Sequence, residues 1–360
     1  MTNAWVLIYN FEEVNMKNHF ILSLIAILIL CLISYVGAGI TGLQGFFGIF
    51  IPYVAIAVFI GGFIWKVLNW SKSPVPFRIT TTCGQQKSLP WIKAGNLDNP
   101  FSKRDVFFRM VLEVMFFRSL FRNSRMSLQK NESGLKVVYD WEIFLWAASL
   151  LFHYSFLIVC LRHLRFFMGP VPGLITFIET LDGFFRIELF KSFFSVGLPG
   201  IMLSGLFLFL AGLFLLARRI FSAKINYISL AADYFPLLLI LGIAYTGLQM
   251  RYFTKVDILG VKELAMGLVT LRPVIPDGIG VIFYMHIFLV STLLIYFPFS
   301  KLMHFGGIFL SPTRNLTADT RANRHINPWN YPVKTHTYEE YEDEFREKMV
   351  GAGLPVEKKE

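Results

Sequence analysis

Several apolar stretches, six of them approaching the length of a membrane span, dominate this chain and leave it few folds. A helix rises 1.5 Å per residue, so about 20 apolar residues cross the ~30 Å hydrocarbon core of a bilayer. The prediction is an all-α, polytopic transmembrane helical bundle with about six spans, a cytoplasmic loop segment and a cytoplasmic C-terminal tail. The spans are read at 20–40, 46–67, 141–166, 196–217, 234–252 and 279–303. Only 16% of the 360 residues are charged, against about 25% in soluble domains. Four parts follow: a two-span hairpin (1–68), a basic amphipathic segment (69–140), a four-helix membrane domain (141–305) and a tail (306–360).

The net charge of +10 does not imply nucleic acid, because Lys and Arg gather in loops, where they set orientation and meet the lipid bilayer. They crowd 66–140, the Arg218-Arg219 end of the fourth span and the tail, and are sparse in the alternate loops. The positive-inside bias puts both termini in the cytoplasm of a prokaryotic inner membrane. Met16-Lys17-Asn18-His19 and the apolar run after it resemble a secretory signal. That run exceeds the usual ~7–15 residues, so it reads as a retained anchor, with Met1 and Met16 both open as starts. Residues 104–125 suit an amphipathic helix at the membrane surface or against a partner. Tyr341, Phe345 and Met349 form one apolar stripe on an acidic tail helix. Cys31, Cys83 and Cys160 form neither CxxC nor CxxCH, so any iron–sulfur chemistry comes from a partner.

The histidines carry the chemistry. Four of the seven lie in two spans, His153 and His163 in the third, His286 and His304 in the sixth. A lone intramembrane histidine is usually a hydrogen-bonding group; four in two spans point to metal ligation. If the two helices run antiparallel, His153 faces His304 near the cytoplasmic side and His163 faces His286 near the outer side. That is the layout for two stacked b-type haems, each held by two imidazoles. On ideal helices the two ligand separations differ by about 12 Å; a kink at Pro298 is expected to absorb part of this. Arg162, Arg165 and Lys301 are the basic residues placed to hold haem propionates. Snorkelling at the helix ends explains them equally well. A haem-free membrane anchor is the competing reading. A transporter would need broken helices in paired repeats, and none is visible.

The histidine spacings on two antiparallel spans resemble those of the nitrate reductase gamma-subunit superfamily of di-haem cytochromes b. The strings SPVPFRITTTCGQQKSLPWIK, LEVMFFRSLFRN, LRHLRFFMGPVP, FPFSKLMHFGGIFLSPTRN and HINPWNYPVKTHTYEEYEDEFREKM are similar to one branch of it, the DsrM family. That branch is the cytochrome b membrane subunit of the sulfite-reduction-associated DsrMKJOP complex. The resemblance implies oxidation of menaquinol and electron delivery to a cytoplasmic iron–sulfur subunit like heterodisulfide reductase, alongside other membrane and extracytoplasmic subunits. It also implies His153, His163, His286 and His304 as the axial ligands. Arg162, Glu179 and Asp182 lie on the expected quinol side, although loop solvation and helix capping account for them better. The loop around Cys83 is expected to touch the iron–sulfur subunit.

Overall fold

The computed structural model describes residues 2–73, 84–131, 134–183, 202–311, 314–319, 323 and 335–357, without the side chains of 2–18 and 131. Contacts divide the chain into two units: 1–66 with 107–309, and 67–106 with 310–360.

Among the described residues six helices are long and apolar enough to cross a membrane: His19–Ile40, Phe46–Ser71, Ile143–Phe166, Leu203–Phe221, Ala231–Thr254 and Val281–Phe299. The chain is a multi-pass membrane protein. The first span is the end of α1 (Thr2–Tyr35), carried on by a π-helical turn over Val36–Ile40. The second begins with another such turn and continues as α2 (Ile51–Ser71). Then come α3 (Lys103–Phe116), the short α4 (Arg118–Phe121) and a hairpin of β1 (Ser124–Asn131) and β2 (Gly134–Trp141). The third span is α5 (Ile143–His163), followed by α6 (Gly173–Asp182). The fourth is α7 (Leu203–Phe221), with α8 (Ala223–Tyr227) after it; the fifth is α9 (Ala231–Gln249) and the sixth α11 (Val281–Tyr296), with α10 (Ile258–Val269) between those two.

The bundle is built by neighbours in series. α5 packs on α7, α7 on α9 and α9 on α11, while α1 closes against α9 and α11. Small residues permit the close approaches. A Cβ on Gly212 of α7 would meet Leu241 of α9 at 2.9 Å, and one on Gly62 of α2 would meet Pro298 at 2.8 Å. One buried cluster, Ile27, Tyr234, Leu238, Leu239 and Leu289, joins α1, α9 and α11. Outward-facing Leu22, Leu28, Leu32 and Ile60 are exposed, as lipid contact requires.

The surface helix expected over 104–125 is two pieces. α3 ends at Phe116, Phe117 takes a left-handed conformation (φ 49°, ψ 48°), and α4 stops at Phe121. The β-hairpin then occupies residues that the sequence left as connection. In the second unit Gln86 Nε2 donates to the Ala318 carbonyl (2.8 Å), and the Ala318 N–H donates to the Pro100 carbonyl (2.6 Å). Here α12 denotes the single turn His304–Gly307 of the first unit, and α13 the tail helix Tyr338–Gly351 of the second. Thr337 and Glu340 cap α13 reciprocally. Of its apolar stripe, Met349 is buried and Tyr341 exposed.

Candidate functional site

α5 and α11 are not close neighbours among the helices, and across the space between them His153 and His163 of α5 meet His304 of α12 and His286 of α11. The rings of His153 and His304 stand 6.0 Å apart, centre to centre, with planes at 83°. Those of His163 and His286 stand 6.4 Å apart with planes at 17°. These are the two pairings expected from the antiparallel arrangement. Among the described residues no group of three or more His, Cys, Asp or Glu side chains converges; the histidines converge in twos.

The hydrogen bonds decide which nitrogen each ring presents. His153 Nδ1 lies 2.7 Å from the carbonyl of Ser149, His163 Nδ1 2.7 Å from that of Val159, and His304 Nδ1 2.9 Å from that of Lys301. A carbonyl only accepts, so Nδ1 carries the proton in all three. His286 Nδ1 lies 2.8 Å from Thr246 Oγ1, and that hydroxyl donates to the carbonyls of Gly242 and Ile243. Thr246 therefore accepts from His286 as well. All four rings are left with an unprotonated Nε2, the form that binds a metal. Imidazole–metal bonds are about 2 Å long, so one metal held by two opposed Nε2 atoms sets ring centres about 6 Å apart. The side chains present fit a haem iron at each pair.

His304 arrives at its position by a route the sequence only half marks. A kinked continuous helix was expected; the helix is broken instead. α11 ends at Tyr296, Phe297–Phe299 form a 3-10 turn, and Ser300 is extended (φ −123°, ψ 176°). Ser300 then starts a new turn, its hydroxyl accepting from the amide of Leu302 at 3.2 Å, and His304 opens α12. Pro298, fully buried, withholds an amide donor and stops the α-helix. The break removes the constraint of ideal helical rise, so the unequal spacings no longer conflict.

The three basic residues expected at propionates are each paired with a carboxylate. Arg162 pairs with Asp182 and also donates to Ser204 Oγ at 3.1 Å; Arg165 pairs with Glu179; Lys301 Nζ lies 2.7 Å from Asp233. Asp182, which accepts from the Ser204 amide and hydroxyl at 2.7 Å each, caps the start of α7. Capping and charge pairing thus account for Arg162, Glu179 and Asp182. Cys83 lies outside the described residues; Cys31 and Cys160 are free thiols.

Two residues went unnoticed in the sequence. Thr246 is a lone hydroxyl in an apolar span, a weak signal. Phe117 packs its ring edge-on against His153 at 5.0 Å, and nothing in its neighbours foretells a left-handed residue there. The kink it forms is held on all sides. Glu113 accepts from the amide and hydroxyl of Ser119 (3.1 and 2.5 Å), Trp146 Nε1 donates to the carbonyl of Phe116 (2.8 Å), and the Tyr154 hydroxyl to that of Met115 (2.8 Å).

Comparison with known proteins identifies the family. Residues 110–322, which include all four paired histidines, match the family model described as nitrate reductase gamma subunit. A protein of Archaeoglobus fulgidus named Hdr-like menaquinol oxidoreductase cytochrome b-like subunit is 46% identical over 292 residues, 79% of this chain and 83% of that protein. A protein of the same name from Archaeoglobus profundus is 38% identical over 286 residues, 78% and 81% of the two chains. The chain belongs to the nitrate reductase gamma-subunit family.

Proposed function

We propose that this chain is the di-haem cytochrome b subunit of a menaquinol oxidoreductase of the DsrM type, serving dissimilatory sulfur metabolism. The carrying observation is the pair of opposed imidazole couples, each with both Nδ1 protons committed elsewhere. The relatives' names, which join a cytochrome b-like subunit to an Hdr-like menaquinol oxidoreductase, support the same reading. His153 with His304 would hold one b-type haem and His163 with His286 a second. Bound there, haem supplies one-electron redox chemistry at two depths of the bilayer.

The chain's own residues do the rest. Backbone carbonyls and Thr246 orient the rings and raise their basicity. Arg162 and Arg165 beside His163, and Lys301 three residues before His304, are assigned to the propionates. The two arginine pairs each use one terminal nitrogen, leaving the rest of each guanidinium fork for a second carboxylate. With both termini in the cytoplasm, the His163/His286 pair lies on the outer side, where menaquinol would be oxidised. The His153/His304 pair lies towards a cytoplasmic iron–sulfur subunit resembling heterodisulfide reductase.

Purification of the complex with a count of haem b per chain tests this. Two per chain, falling to one in His153→Ala and in His286→Ala, is the expected result. A colourless wild-type preparation would return the chain to a haem-free anchor.

A further inference from the structure

The hairpin between α4 and α5 carries a surface that holding haem does not call for. Met126 lies opposite Tyr139, Leu128 opposite Val137, Lys130 opposite Leu135 and Ser124 opposite Trp141. Opposed residues share a face, and alternate residues along a strand keep it. One face therefore bears Met126, Leu128, Leu135, Val137, Tyr139 and Trp141, with Ser124 and Lys130 at its two ends; the other bears Arg125, Ser127, Gln129, Lys136, Val138 and Asp140. All six apolar residues of this face are exposed, from 46% at Val137 to 70% at Leu135. The second face is the more covered: Ser127, Val138 and Asp140 are half-buried, and Arg125 reaches Asp140 at 3.8 Å. A lone two-stranded hairpin is marginal in water, and an apolar patch of this kind marks a contact surface.

The position of the hairpin says what it touches. Glu142 alone separates β2 from α5, a membrane span. That same Glu142 pairs with Arg218 at the end of α7 (2.9 Å), and Lys224, just past that span, donates to the Met126 carbonyl (3.3 Å). The root of the hairpin is thus fixed where two spans leave the bilayer. A run of rings joins the apolar face to the start of that span: Trp141 to Phe121 at 5.1 Å, then Phe121 to Trp146 in the first turn of α5 at 4.9 Å. Tyr139 and Trp141, the residues of this face nearest the span, are the types that settle at the headgroup level. Lys130 and Lys136 near the tip and Lys224 at the root give the hairpin a basic rim; of its two acids, Asp140 is paired with Arg125 and Glu132 falls between the two strands in the sequence. Basic residues at this level are attracted to anionic lipid.

We propose that the hairpin is a membrane-surface foot. It lies along the bilayer at the N-terminal end of α5, with its apolar face in the headgroup–acyl boundary, Lys130 at the end of that face on anionic phospholipid headgroups and Lys136 reaching them around the edge of the tip. This does not depend on whether the chain binds haem.

The test places the photocrosslinking residue p-benzoylphenylalanine at Leu135 or Val137 on the apolar face, and at Gln129 on the other. The full chain is illuminated in native membranes and in nanodiscs of phosphatidylcholine with or without phosphatidylglycerol, and hairpin peptides are weighed. Phospholipid adducts at positions 135 and 137 but not 129 are expected in both settings. The Lys130→Glu/Lys136→Glu variant should lower the yield severalfold in the anionic nanodiscs and leave it unchanged in the neutral ones. Adducts to a partner subunit in place of lipid would make the face a protein interface and overturn the proposal, as would equal lipid yield from the two faces. Yields that ignore anionic lipid in wild type and variant alike would overturn the headgroup contact.

Discussion

At the scale of single residues, ring orientation and second-ring hydrogen bonds separate the two histidine pairs. The planes of His153 and His304 cross at 83°, and those of His163 and His286 at 17°. Crossed axial imidazoles leave two iron d orbitals nearly degenerate, whereas parallel ones split them. With haems bound as proposed, the oxidised protein should show one strongly axial and one rhombic low-spin ferric signal by electron paramagnetic resonance. Two identical rhombic signals would contradict the angles. Phe117, edge-on to His153, helps hold the crossed arrangement, in a backbone conformation that costs roughly 1–2 kcal/mol for a residue with a Cβ. Thr246 gives a second test. It is the acceptor for His286 Nδ1, and losing the acceptor on a ligand's other ring nitrogen lowers its basicity and weakens metal retention about 10–100-fold. Thr246→Val should raise the potential of one haem and loosen it, while Thr246→Ser should leave both properties near wild type. A redox titration that cannot tell Thr246→Val from wild type would remove Thr246 from the site.

At the scale of elements, the interrupted sixth span and the capped fourth span do the positioning. Gly62 of α2 lies against Pro298 so closely that a Cβ would approach to 2.8 Å. Overpacking of this kind costs about 1–3 kcal/mol, and the strain falls on the turn that delivers His304. Gly62→Val should therefore reduce occupancy of the His153/His304 site while sparing the other, read as selective loss of one component of the reduced α band. Equal loss of both would show general misfolding. At the start of the fourth span Asp182, the last residue of α6, combines a cap with a buried ion pair; its side chain is 5% exposed and that of Arg162 11%. Removing one member of a buried pair costs about 3–5 kcal/mol. Asp182→Ala should lower the thermal midpoint well beyond Glu179→Ala, whose pair with Arg165 is more exposed (28% and 23%). The sequence shows the spans plainly, because a long apolar run has one solution in a bilayer. It does not show that Pro298 and Ser300 break the helix instead of bending it, since proline is compatible with both. The hairpin also escaped notice. Its alternation of Leu135, Val137, Tyr139 and Trp141 opposite Met126 and Leu128 is short, and the preceding basic helix drew the reading towards a 3.6-residue period.

For the whole molecule, what could be read in advance was the pairing of rings, because antiparallel helices leave only one order for two inner and two outer histidines. What could not be read was the company of the charges. Arg162, Arg165 and Lys301 each find a carboxylate far away in sequence, on α6 or α9, and such pairings follow from packing and not from spacing. The depth of the two pairs supplies the last test. His153 and His163 are ten residues apart on one helix, about 15 Å along it and roughly half of the ~30 Å hydrocarbon core. Moving one charge across the full membrane against 100 mV takes about 2.3 kcal/mol, so moving an electron between the two sites would take about half of that, ~1.1 kcal/mol. A shift of this size changes the electron distribution between the sites roughly sixfold. In half-reduced proteoliposomes of known orientation, a potential of 100 mV, negative on the cytoplasmic side, should empty the His153/His304 site in favour of the His163/His286 site by about that factor. Reversing the potential should reverse the shift. A distribution that ignores the potential would put both sites at one depth, and a shift of the opposite sign would invert the orientation on which outward oxidation of menaquinol rests.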